Sequence, residues 1–454
     1  QEETKMFDKI AAFLDKNLST PMAKLSEQRH LRAIRDGIIA TLPIVVVSSL
    51  FLVIAFLPNQ MPASWGIAQF IKANAGRILL PYRMAMYIMT LYAVFGIGFS
   101  LAKSYDLDGL SGAILSELAF LLTVVPTSLP EASEEIQNLA ANNQALADYI
   151  KAVPSGWHLG MSYIGSDGMF VGIISAFIAV EIYRFTQKSG FKIRMPEQVP
   201  PSVARSFEAL TPTVIILLLF STVTMWLGIR VHDIIGAVIR PIVTVADTLP
   251  SVLLLTFLDS FFWCFGIHGS SVVGSVTRPI WLMLLEQNSN AFAVGSAIPN
   301  IAPEPFYQWF IYIGGSGTTI GLAILLLLKS RSQYGKTLGK VAFVPALFNI
   351  NEPMIFGCPI ILNPVLLIPF VLNPIICAVL AWIATELGLV NRVVASVPWT
   401  LPGPIGAFLA TNGDIRALIL NVLLIILSVL VYLPFFNKYD ADLKKQEEST
   451  EAAA

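Results

Sequence analysis

Long apolar runs alternate along the chain with short basic or polar stretches. The runs at residues 44–57, 213–227 and 418–433 carry no charged side chain. A helix needs about 20 mostly apolar residues to cross a bilayer. On that measure the pattern predicts clean spans near 36–57, 84–103, 108–125, 166–187, 205–229, 306–328, 364–387 and 416–436. Between 231 and 305, and again around 349–354 and 397–403, apolar segments are interrupted by Gly, Pro and polar residues. With these less regular segments included, the prediction is an all-α polytopic membrane protein. It would have about ten transmembrane helices, two re-entrant hairpins and interfacial amphipathic helices.

Basic residues orient the spans, because Lys and Arg gather on the cytoplasmic side. Lys24, Arg29, Arg32 and Arg35 precede the first span, and Arg184, Lys188, Lys192 and Arg194 follow the fourth. Lys329, Arg331, Lys336 and Lys340 read as a third inside loop, and Lys438, Lys444 and Lys445 close the last span. Residues 130–151 hold one Lys and no Arg, which suits the outside face. Both termini are therefore expected inside. The first residues, polar and mixed in charge, do not read as a signal peptide.

The expected organisation starts with a cytoplasmic amphipathic segment at 1–35, in which Ile10, Phe13, Leu14, Leu18 and Met22 share a face. First-half helices follow at 36–230, then an amphipathic linker at 231–250. A domain with two breaks spans 251–437, and a tail occupies 438–454.

Composition agrees with the pattern. Hydrophobic residues make up 55% of the chain and charged residues 13%, where a soluble domain carries roughly 25% charged. Mean hydropathy is +0.69. The formal net charge of −1 argues against a polyanionic partner such as nucleic acid. Cys264, Cys358 and Cys377 all lie in apolar stretches with no CxxC spacing, so no metal or thiol redox site is expected. Gly335-Lys336-Thr337 lacks the first glycine of a phosphate-binding loop, and no cofactor motif is present.

Ionisable residues inside a membrane are costly and are candidates for function. Glu117, Asp259, His268, Arg278, Glu304 and Glu352 fall in apolar context, and Glu117 reads as a helix-packing carboxyl bonded to a neighbour. Asp259 and Arg278 fit a structural ion pair as well as a ligand contact, and Glu304 reads as a turn residue between two prolines. His268 and Glu352 sit in Gly, Pro and Asn-rich breaks. There they serve either as proton acceptors for a hydroxyl or as partners for freed backbone groups. Asn349 and Asn351 flank Glu352 with donors and acceptors suited to vicinal hydroxyls. Trp157, Trp263, Trp309 and Trp399 offer flat faces for a sugar ring or anchors at the lipid interface, Trp263 and Trp399 foremost because each stands beside a break. His30, His158 and His232 are expected in solvated positions. The small-residue spacing from Gly314 to Thr318 suggests close helix packing.

The segment Asn351-Glu-Pro-Met-Ile-Phe-Gly357 followed by Asn363-Pro364, together with Gly266-Ile-His-Gly269, resembles the enzyme IIC membrane component of sugar phosphotransferase systems. The Asn-Glu-Pro form is similar to the lactose, cellobiose and diacetylchitobiose branch, over nearly the whole chain. The resemblance implies a bacterial permease of the cytoplasmic membrane that binds a β-linked disaccharide outside and presents it inside for phosphorylation. Glu352 would be the general base or hydroxyl anchor, His268 would orient the hydroxyl or stabilise charge on the incoming phosphoryl group, and Arg278 would be a third participant. It also implies a homodimer, with dimer contacts from the first half and sugar transport by the second. No cysteine lies in a soluble segment, so the phosphoryl donor is expected on a separate phosphorylated IIB protein. The competing reading is a proton-coupled symporter that releases unmodified sugar, since broken helices and buried carboxylates serve both mechanisms.

Overall fold

The computed structural model describes residues 28–153, 155–193, 195–196, 198–360 and 363–453. The amphipathic face expected at residues 10–22, with Lys24 and Arg194, lies outside them.

The described chain is mostly helical, with one small two-stranded ribbon. Helix α1 (Arg29–Phe56) packs against α2 (Gly66–Met86), and α3 (Met89–Ser104) packs against α4 (Gly109–Leu121). Strands β1 (Thr127–Leu129) and β2 (Gly156–His158) pair antiparallel with Ser128 opposite Trp157. Between them run the short helices α5 (Glu134–Ala141) and α6 (Gln144–Ala152). Then come α7 (Met169–Ser189), α8 (Pro201–Glu208) and α9 (Leu210–Ser221). Helix α10 (Val231–Ala246) bends by 79° into α11 (Leu249–Trp263). The chain continues through α12 (Gly269–Ala293), α13 (Glu304–Phe310), α14 (Ile320–Lys329) and α15 (Gln333–Leu347). It finishes with α16 (Glu352–Gly357), α17 (Pro364–Glu386), α18 (Gly403–Ala410) and α19 (Ile415–Ala453). Among the described residues, six helices are long and apolar enough to cross a membrane, or up to seven if the bent pair forms one span.

Two compact units emerge. Tyr87–Val238 forms one, and the described residues up to Met86 join Ile239–Ala454 in the other. The first unit has its core where α4, α7 and α9 meet, at Leu115, Ala119, Ala179, Tyr183, Ile216 and Phe220. His232 lies in this unit and is buried, not solvated: Thr123 Oγ1 is 3.0 Å from its Nε2, and Tyr163 stacks on its ring at 4.3 Å.

The second unit carries its polarity inside. On α19, Asn421, Ser428 and Tyr432 are buried while Leu423, Ile426 and Leu430 are exposed. That arrangement suits an apolar solvent, where helix association relies on packing and internal hydrogen bonds. The buried polar face meets backbone carbonyls at Trp309, Gly317 and Thr318. The uninterrupted span expected at 306–328 is in fact broken there, between α13 and α14. Gly314, Gly315 and Gly317 have φ of +79°, +96° and +79°, in the left-handed region that side chains other than glycine disfavour. A hydropathy pattern registers apolar side chains and is blind to that backbone demand. The glycines serve this turn, and the close packing expected of Gly314 to Thr318 is met at Gly317, where a Cβ would overlap the Phe370 ring of α17.

In hydrocarbon an unpaired backbone group costs several kcal/mol. Here the freed groups are paired. The Thr318 carbonyl accepts from Ser428 Oγ at 2.7 Å and Asn373 Nδ2 at 3.1 Å, and the Gly317 carbonyl accepts from Tyr432 Oη at 2.8 Å. Ser428 Oγ in turn accepts from the Gly321 N–H at 3.2 Å.

The basic run from Lys329 to Lys340, read as a loop, contains the start of α15, and the tail beyond 438 continues α19 to Ala453. Asp440 on α19 braces the tight turn at residues 330–332, between α14 and α15. Its carboxylate accepts from Ser330 Oγ at 2.6 Å, the Arg331 N–H at 3.0 Å and the Ser332 N–H at 3.3 Å.

A second carboxylate clasp precedes α19. Asp414 accepts from the Asn391 N–H at 2.7 Å, the Arg416 N–H at 3.0 Å and Arg416 Nε at 2.9 Å. Burial alone would raise its pKa, but these hydrogen bonds and the Arg416 charge outweigh it and hold the carboxyl below its ordinary value. The resulting stabilisation is complete above the unfolded pKa of about 4 and disappears as pH falls through the lower folded value. Asp414→Asn, which turns an amide against these donors, is expected to cost about 2 kcal/mol at pH 7 and far less at an acid pH below the folded value. Thermal unfolding in detergent at both pH values checks this; equal melting temperatures at pH 7 would contradict it.

Candidate functional site

The second unit encloses a cavity of about 910 Å³, within the range of roughly 300–1,000 Å³ typical of small-molecule sites. Its walls come from interruptions in the helices as much as from the helices. Leu42 and Pro43 of α1 line one side, and Trp263 stands at the end of α11. His268, Ser270 and Arg278 come from the first break and α12, Glu304 and Gln308 from α13, and Gly315 and Ser316 from the glycine turn. Asn349, Asn351 and Glu352 come from the break before α16, and Trp399 and Thr400 from the irregular segment before α18.

Local chemistry sets each break. His268 caps α12: its Nδ1 lies 3.3 Å from the Ser271 N–H and 3.1 Å from Ser271 Oγ. A backbone N–H can only donate, so Nδ1 is the acceptor and the neutral ring carries its proton on Nε2. The imidazole is thus a donor for a ligand oxygen. The ring is exposed to the cavity and lies against Trp263, with centroids 4.6 Å apart. Gly269 follows because α12 begins hard against α11; a Cβ there would overlap the carbonyl of Asp259.

Asn349 joins three interrupted segments. Its Oδ1 accepts from the Gly314 N–H at 2.9 Å, and its Nδ2 donates to the carbonyls of Trp399 at 2.8 Å and Leu401 at 3.1 Å. Its own φ of 61° is left-handed, a region asparagine tolerates better than most residues. Asn351 Nδ2 donates to the Ser316 carbonyl at 2.7 Å, and a Cβ on Gly315 would collide with the Asn351 side chain. The amide N–H groups expected to meet a ligand's hydroxyls are therefore engaged with backbone. They hold Glu352, whose side chain is exposed to the cavity.

The expected pairing of Asp259 with Arg278 does not occur. Arg278 Nε pairs with Glu304 Oε1 at 3.2 Å, and both side chains line the cavity. Asp259 is fully buried behind the wall and accepts from Ser270 Oγ at 2.6 Å. The cavity thus gathers Glu352, His268, Asn351, Asn349, Trp263, Trp399 and Arg278, and Asp259 reaches it only through a serine. Of the other tryptophans, Trp309 on α13 is in the lining, whereas Trp157 lies in β2 and is not. Glu304, Ser270 and Ser316 were not singled out from sequence as cavity residues. The signals were present: Glu304 is fixed between Pro303 and Pro305, and each serine follows a glycine, Gly269 or Gly315.

Chemically, the arrangement offers a carboxylate acceptor, an imidazole N–H donor and a guanidinium already balanced by a carboxylate. Among the described residues no group of three or more His, Cys, Asp or Glu could hold a metal ion. A helical chain whose broken segments line a polar cavity inside an apolar fold has the make-up of a membrane transporter.

Comparison with known proteins specifies which kind. The family model described as phosphotransferase system, EIIC, matches residues 35–374. The chain is 34% identical over 453 residues to the cellobiose-specific EIIC component of Geobacillus stearothermophilus, covering 97% of both. It is also 34% identical over 453 residues to the lichenan permease IIC component of Bacillus subtilis, covering 98% of this chain and 96% of that one. Its structure is similar to the crystal structure of ChbC, the IIC component of the N,N'-diacetylchitobiose-specific phosphotransferase system. That match has a TM-score of 0.85 and 35% identity, over 96% of this chain and 99% of the other. The chain belongs to the phosphotransferase system EIIC family and is a bacterial multi-pass membrane sugar permease component.

Asn349→Ala removes both ends of the tie between the glycine turn, the Glu352 break and the Trp399 segment. It is expected to lower stability by about 2–3 kcal/mol, as a fall in melting temperature in detergent. An unchanged melting temperature would mean the breaks hold without it.

Proposed function

We propose that the cavity binds a β-linked disaccharide of the cellobiose or diacetylchitobiose type and presents it for phosphorylation by a phosphorylated IIB component. The observation that carries this reading is the convergence of His268 and Glu352, from two separate helix breaks, on one cavity large enough for a disaccharide. The relatives named for cellobiose and diacetylchitobiose support the sugar class. Trp263 and Trp399 supply flat apolar faces for sugar C–H groups.

In this reading Glu352 accepts the proton of the reacting sugar hydroxyl. The hydroxyl oxygen attacks phosphorus on the phosphocysteine of IIB, the O–P bond forms, the P–S bond breaks, and the cysteine leaves as thiolate. His268 donates its Nε2 proton in a hydrogen bond that fixes the hydroxyl oxygen. Arg278 offsets the charge of the incoming phosphoryl group, and Glu304 holds the guanidinium in place until then. The unit that contains the cavity moves the sugar, Tyr87–Val238 serves as scaffold, and both termini face the cytoplasm.

The test uses protein in liposomes with labelled disaccharide, with and without phospho-IIB on the cytoplasmic face. Sugar phosphate is expected only with phospho-IIB. Its rate is expected to fall about 100-fold or more in Glu352→Gln and at least tenfold in His268→Ala, with both variants folded. Free sugar accumulating under a proton gradient without IIB would make the protein a symporter. Normal rates in both folded variants would remove the residue assignments.

A further inference from the structure

Asp259 demands an explanation because a fully buried carboxyl within an apolar fold is costly. Its Oδ1 accepts a short hydrogen bond from Ser270 Oγ at 2.6 Å, and its Oδ2 has no hydrogen-bond partner. Ser270 Oγ lies 3.1 Å from Ser316 Oγ, and both serines line the cavity. The chain of oxygens thus runs from a buried carboxyl on α11, through the first turn of α12, to the glycine turn.

Its geometry is fixed at every link. Gly269 lets α12 start in contact with the Asp259 backbone, which sets Ser270 beside the carboxyl. Asn351 Nδ2 holds the Ser316 carbonyl at 2.7 Å, which sets the second serine beside the Glu352 break.

A serine hydroxyl has one proton to donate. Ser270 gives its proton to Asp259, so toward Ser316 it offers only a lone pair. For the contact between the serines to be a hydrogen bond Ser316 donates to Ser270, which leaves a lone pair on Ser316, a residue of the cavity wall, free to accept. We propose that Asp259 is a positioning residue that acts through Ser270 to present Ser316 Oγ as an acceptor for one donating hydroxyl of the bound sugar. The proposal rests on the reading that the cavity binds a disaccharide. Asp259 does not touch the sugar; it sets which way the hydrogen bonds run. The cavity therefore selects for a hydroxyl at one sugar position and against a substituent without a proton to give.

The test measures affinity for cellobiose and for a set of its monodeoxyfluoro analogues, in which fluorine replaces a hydroxyl at similar size but cannot donate. For the unmodified protein, one fluorinated position is expected to bind about tenfold more weakly than cellobiose, beyond any position answering to Glu352. Ser316→Ala, Ser270→Ala and Asp259→Leu are each expected to weaken cellobiose and to erase the penalty at that same position. Asp259→Asn, which keeps an acceptor oxygen for Ser270, is expected to retain it. Should Asp259→Leu not fold, Ser270→Ala cuts the same link by removing a single oxygen. A penalty that survives in folded Asp259→Leu or Ser270→Ala overturns the proposal and leaves Asp259 a packing residue. Absence of binding of both cellobiose and diacetylchitobiose by the unmodified protein would overturn the reading of the cavity, and the proposal with it.

Discussion

Backbone polar groups in an apolar solvent must be paired, and the second unit is built around meeting that demand where its helices stop. A continuous helix pairs its own N–H and C=O groups; an interrupted one does not. The turn at 311–319 would leave several such groups in a low-dielectric interior. The chain meets them with side chains from three other places: Asn349 and Asn351 of one break, Asn373 of α17, and the Ser428–Tyr432 face of α19. Take these away and the interruption is untenable, and without the interruption there is no cavity.

The same hydrogen bonds give the site its precision. The amides of Asn349 and Asn351 bind backbone on two segments distant in sequence, the glycine turn and the stretch before α18, so the walls that carry Glu352 and Trp399 are tied to one another. This leaves the exposed functional groups few and chemically distinct: one carboxylate, one imidazole with its proton set by the α12 cap, and one guanidinium held by Glu304. Pre-arranged polar groups in a cavity of low dielectric act more strongly than the same groups in water.

Much of this is legible in the sequence because the membrane imposes simple rules. The apolar runs mark helices such as α7, α9 and α17, and the Gly-Ile-His-Gly and Asn-Glu-Pro segments mark the breaks. What escapes is the work of residues whose role depends on backbone geometry or on distant partners. The glycines at 314, 315 and 317 sit in an apolar stretch that reads as a plain span, since periodicity does not report φ. Arg278 lies nearer in sequence to Asp259 than to Glu304, yet it pairs with Glu304, and nothing short of three dimensions decides between the two. Asn349 and Asn351 were recognisable as important by their place beside Glu352. That they hold the walls together through backbone carbonyls is a property of contacts up to 52 residues away. His232 looked like a solvated residue of an amphipathic helix and is buried against Thr123 and Tyr163.

The central claim is that the cavity assembled by these breaks is where the sugar sits. The most direct measurement is a crystal structure of the protein with a β-linked disaccharide bound. The expected result is a sugar ring beside Trp263 or Trp399, with one hydroxyl within hydrogen-bond reach of both Glu352 and His268 Nε2. A disaccharide bound elsewhere, with Glu352 and His268 untouched, would contradict it.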